Sequence, residues 1–80
     1  MTFEPSSHLL AFVLPVSFRK GDVIFSTATT DEEVRVAITP TDHPRHVVST
    51  AQLSRGRWRA RLNWSDGRQQ YLEEKEIFVD

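Results

Sequence analysis

Three arginines at alternate positions, Arg57, Arg59 and Arg61, are interleaved with Trp58, Ala60, Leu62 and, after Asn63, Trp64. On a β-strand, residues two apart lie about 6 to 7 Å apart on one side, so the guanidinium groups would form a positive row. Such a row could lie along a phosphate backbone or meet carboxylates on a protein partner. Gripping single-stranded nucleic acid also takes exposed rings on which bases stack. Strand parity instead sends Trp58 and Trp64 to the face opposite the arginines, where a core must form. Glu73, Glu74 and Glu76 follow on the paired arm, and cross-strand ion pairs of this kind contribute about 0.2 to 1 kcal/mol each. The pattern therefore predicts a wet cationic face backed by a buried aromatic one, with no nucleic-acid site, and leaves Arg57, Arg59 and Arg61 as candidate contacts for a protein.

Histidine supplies the second chemistry. His43 and His46 are three apart around Pro44 and Arg45, and with His8 they could offer three nitrogen ligands to copper or zinc. No cysteine joins them, and Met1 is the only methionine, which excludes a thioether-rich cuprous site. The expectation is that these histidines lie in loops and face water, with copper binding as the alternative.

Catalysis finds little support. No Gly-rich phosphate loop, cysteine nucleophile or HExxH helix is present. Glu32-Glu33 and Glu73-Glu74 are adjacent carboxylates, but neighbours on a strand point to opposite faces and do not converge on one substrate atom. A non-enzymatic domain without a cofactor is expected.

The elements that must position these residues are short. Eighty residues make one small domain, and without cysteines its stability comes from packing, chiefly of Trp58, Trp64, Tyr71 and five phenylalanines. Ten Lys and Arg against eleven Asp and Glu give a net charge of -1, too little to draw polyanions or anionic lipids. The longest apolar run, Leu9 to Leu14, stops at Pro15, far short of the roughly 20 residues of a membrane-spanning helix. The absence of Lys or Arg before that run argues against a secretory signal, so the chain is expected to be soluble.

Residues 1–7 read as a flexible lead-in and 8–80 as a single β domain. His8 to Leu14 is a strand ending at Pro15, with a possible extension over Val16 to Phe18; Asp22 to Ser26 is the next. Thr30 to Glu33 fits a capping box with no helical stripe behind it. Val34, Val36 and Ile38 alternate with polar or small residues up to Pro40, and Val47-Val48 marks a short or edge strand. Gly56 to Trp64 and Arg68 to Val79 form a hairpin around Ser65-Asp66-Gly67, a three-residue link suited to a type I turn plus bulge. Apolar residues of both parities flank the charged run of the second arm, which predicts a further bulge there. Six or seven short strands at this spacing predict a small antiparallel sandwich.

The stretch from Leu53 through Gly56, Trp58 and Trp64, then Asp66-Gly67, Tyr71, Glu74 and Ile77-Phe78-Val79, resembles the C-terminal half of the FixH family. Leu10 to Phe18 and the glycine-led Gly21 to Phe25 are similar to the opening strands of that family's extramembrane domain. The resemblance implies an immunoglobulin-like β-sandwich on the periplasmic side of a bacterial inner membrane. It further implies a part in assembling a high-affinity haem-copper oxidase, beside a copper-exporting ATPase and an iron-sulfur membrane protein. The family's N-terminal membrane helix and tyrosine-rich connecting segment are not among these residues. The chain is expected to be either a soluble domain of such a protein or a stand-alone relative, touching the membrane only through a helix it does not itself carry.

Overall fold

The computed structural model describes residues 1–27 and 31–80. Seven strands form two antiparallel sheets: β1 (Thr2–Glu4), β2 (Leu9–Val13) and β5 (Arg45–Ser49) in the order β1-β2-β5, and β3 (Lys20–Ser26), β4 (Glu33–Ile38), β6 (Gly56–Ser65) and β7 (Gln70–Val79) in the order β4-β3-β6-β7. This is an immunoglobulin-like sandwich in which the fourth strand joins the sheet of the third, sixth and seventh. Both sheets turn one face inward, and alternation in β3, β4 and β6 fills the core from that side: Val23 and Phe25, then Ile38, then Trp58, Ala60 and Leu62. Leu10, Phe12, Leu14, Phe18 and Val48 close it from the other.

Several local expectations change. Residues 1–7 are not a loose lead-in: Thr2, Phe3 and Glu4 pair with Ala11, Leu10 and Leu9, and a 3-10 turn over Pro5–Ser7 leads back into β2. Pro15 does end β2, but Val16 to Phe18 form a turn, closed by a bond from the Phe18 N–H to the Pro15 carbonyl at 3.0 Å. That turn drops Phe18 into the core at 5 % exposure. Part of the expected turn at Thr30 to Glu33 lies outside the described residues; Glu33 itself opens β4.

The hairpin is more regular than its charges suggest. Pairing runs unbroken from Ser65 with Gln70 to Gly56 with Val79, so no bulge interrupts the second arm. Its link is four residues rather than three, and Asp66 organises it together with the Ser65 hydroxyl, which accepts from the Gly67 N–H at 3.0 Å. The Asp66 carboxylate accepts from the Arg68 and Gln69 N–H groups, both at 2.8 Å, and Gly67 takes φ 94. Those amides, Gln69 first and then Arg68, hold the carboxyl below its ordinary pKa. Gly21 matters for a different reason: a Cβ there would stand 2.7 Å from the Asn63 carbonyl oxygen and 3.0 Å from the Trp64 Cβ, so only glycine lets β3 pass this close to β6.

Candidate functional site

Register fixes what the outer face of the four-stranded sheet presents. One row across the strands reads Arg35, Ile24, Arg61, Glu74; the next reads Glu33, Ser26, Arg59, Glu76. Arg57 and Phe78 stand opposite each other in the row at the end. The arginines are exposed on this side while Trp58, at 1 % exposure, fills the core behind them and donates its indole N–H to the Ser54 carbonyl at 2.8 Å. Cations and buried rings are thus divided by the sheet, as the alternation requires.

Not every cation is equally available. The Glu74 carboxylate bridges two arginines, taking a hydrogen bond from Arg61 Nε at 3.2 Å and holding Arg59 Nε at 4.0 Å through its other oxygen. Arg35 meets Asp22 at 3.7 Å. These pairs are wet on both sides and each contributes about 0 to 1 kcal/mol. Their larger effect is on the potential, because they neutralise the middle of the face. Arg57 forms no ion pair among the described residues, and its cross-strand neighbour Phe78 is 55 % exposed.

Phe78 is one of three aromatic placements that depart from expectation, with Tyr71 and the half-buried Trp64. Its parity on β7 is that of Leu72, Glu74 and Glu76, the outward set, so it adds nothing to the core. Tyr71 has the inward parity yet stays 37 % exposed, beyond the covered part of the sheet. It stacks on the half-buried Trp64 with ring centres 4.2 Å apart and planes 18° apart. Its hydroxyl donates to Gln69 Oε1 at 2.9 Å and lies 3.3 Å from Asp66 Oδ2. Lost water contact, then the Asp66 charge, push the phenol above its ordinary pKa.

The histidines lie in three different settings. His8 is exposed, with φ 55, at the end of the 3-10 turn. His43 is exposed in the loop before β5, where its N–H donates to Thr41 Oγ1 at 3.2 Å. His46 is no loop residue: it sits on β5 opposite Phe12 and turns inward, half-buried. Its ring stacks on Phe12 at 5.8 Å and meets the edge of Phe18 at 5.6 Å. Among the described residues no group of three or more His, Cys, Asp or Glu is placed to hold a metal ion. The sequence could have disclosed the inward turn of His46, since it shares parity with Val48.

A depression of about 310 Å³ beside the hairpin tip is lined by Lys20, Asp22, Arg35, Asn63, Trp64 and Gln70, among other residues, with Asp22 its one carboxylate among the described residues. No described helix is long and apolar enough to cross a membrane. Comparison with protein-family profiles, curated proteins and solved structures found no match for this chain.

Proposed function

We propose that the chain is a non-catalytic interaction domain whose outer sheet face docks on an acidic patch of a protein partner, with Arg57 and Phe78 at the centre of the contact. The observation that carries this reading is the pairing of an uncompensated guanidinium with an exposed phenyl ring on a rigid hairpin. An arginine beside an aromatic ring provides charge and apolar area together, the combination that dominates protein interfaces. Arg59 and Arg61, already held by Glu74, supply a positive surround and set the approach of the partner.

The partner class comes from the resemblance to the FixH family, which implies assembly of a high-affinity haem-copper oxidase on the periplasmic side of a bacterial inner membrane. The sandwich seen here is the fold that resemblance implies, and this supports the reading. The experiment is co-purification of the tagged chain with the copper-exporting ATPase and the iron-sulfur membrane protein of such an assembly system. Binding is expected for the unaltered chain, with a loss of at least about tenfold in Arg57→Glu and a smaller loss in Phe78→Ser. Failure of the chain to bind either component, or equal binding by Arg57→Glu, overturns the proposal. So does stoichiometric copper binding at His43 that resists a chelator, since it would make metal handling the primary role.

A further inference from the structure

β7 is the outermost strand of its sheet, ten residues long, paired with β6 on one side and, among the described residues, with no strand on the other. Such an edge offers a row of backbone donors and acceptors to any extended chain. Its geometry is favourable for pairing, because the register with β6 is continuous and the strand holds neither proline nor bulge. Only its side chains select what docks. Glu73, Glu74, Lys75 and Glu76 occupy the middle, while Leu72, 56 % exposed, and Phe78, 55 % exposed, flank them on the outer face.

These charges oppose a second copy of the same strand. In an antiparallel pair that keeps outer faces together, facing residues share parity, so a two-fold axis passes through a residue and sets it against itself. Every register centred on the charged run therefore places Glu against Glu or Lys against Lys at the axis. A basic strand meets the opposite situation. Glu74 is already held by Arg59 and Arg61, but Glu73 and Glu76 form no ion pair among the described residues and are left to a basic partner.

A second feature lies beside the edge. A cavity of about 410 Å³ is lined by Met1, Glu4, Ala11, Val13, Arg45 and Glu73, among other residues, and Arg45 within it is already paired with Glu4 at 3.1 Å. A lysine or arginine arriving opposite Glu73 would find its counter-ion at the wall and apolar surface along Met1 and Val13 for its methylene stem.

We propose that the free edge of β7 binds an extended basic segment of another protein by strand addition, with Lys or Arg facing Glu73, Glu74 and Glu76 and apolar residues facing Leu72 and Phe78. The inference rests on the reading of the chain as an interaction domain but uses the backbone edge of β7 rather than the arginine row, sharing only Phe78 with it. Backbone bonds supply the general affinity and alternate side chains the selectivity.

The test titrates the peptide Val-Val-Lys-Glu-Lys-Lys-Leu, in which antiparallel pairing sets lysines against the three glutamates, into the isotope-labelled chain. Amide signals of β7 are expected to shift and gain protection from exchange. Glu73→Lys with Glu76→Lys should weaken binding at least tenfold, while Arg57→Glu should not weaken it, the opposite of its effect on the face proposed above. The peptide is also made with alternate backbone nitrogens methylated, in two complementary versions. One version should lose binding and the other retain it, because only one set of N–H groups faces β7. Equal binding by both versions would reduce the contact to unspecific charge attraction and overturn the proposal. No shift on β7 at millimolar peptide would do the same, as would self-association of the chain through this edge.

Discussion

At the scale of the residue, Thr50 is the clearest departure from what a core wants. It is fully buried at 0 % exposure, and while its N–H reaches the His8 carbonyl at 2.8 Å, its hydroxyl has no partner among the described residues. A buried hydroxyl left without a hydrogen bond costs about 1 to 3 kcal/mol, so a methyl in its place should relieve the cost without losing volume. Thr50→Val is expected to raise stability by about 1 kcal/mol, read as a higher denaturant midpoint at unchanged slope. A fall of that size would show that the hydroxyl has a partner after all. Nothing in the sequence pointed to Thr50, because its isolation depends on which atoms two distant segments bring to it. His46 differs: its parity was visible, but its place beside His43 and Pro44 suggested a water-facing loop, whereas the Phe12 and Phe18 rings that hold it come from elsewhere in the chain.

At the scale of the element, the hairpin was the most legible part, since alternation in Gly56 to Trp64 names both its faces. The second arm was not, because charged residues take its inward positions, Glu73 exposed and Lys75 half-buried, which disguises the period as a bulge. The turn length was obscured for a related reason: Asp66, not glycine position, organises it. That organisation depends on charge. Because the Asp66 carboxyl has its pKa lowered in the folded chain, its contribution is present above the unfolded value and lost as pH falls through about 4 and below. Asp66→Ala should therefore melt earlier than the parent at neutral pH, and the two melting curves should converge in acid. A gap that persists unchanged at pH 2 would show that the side chain acts by something other than its charged hydrogen bonds.

At the scale of the whole molecule, the two sheets are joined by a relay of rings that no single element reveals. Phe12 and His46 belong to the three-stranded sheet, Trp64 and Tyr71 to the four-stranded one, and Phe18 stands between them on the loop that crosses from one to the other. The Phe18 ring meets His46 edge-on at 5.6 Å and Trp64 edge-on at 6.5 Å, so its removal opens a void at the seam between the sheets. Phe18→Ala is expected to cost about 3 to 5 kcal/mol, much of the stability a domain of this size possesses. Phe18→Leu, which keeps most of the volume, should cost less than about 1.5 kcal/mol. The measurement is chemical denaturation followed both by tryptophan fluorescence and by far-ultraviolet circular dichroism. If the seam holds the sheets in one cooperative unit, both signals shift together in Phe18→Leu, and in Phe18→Ala they either shift together or are lost together. Separate transitions in either variant would mean that the sheets are stable apart, and the rigid support that the hairpin face needs for docking would then have to come from the hairpin alone.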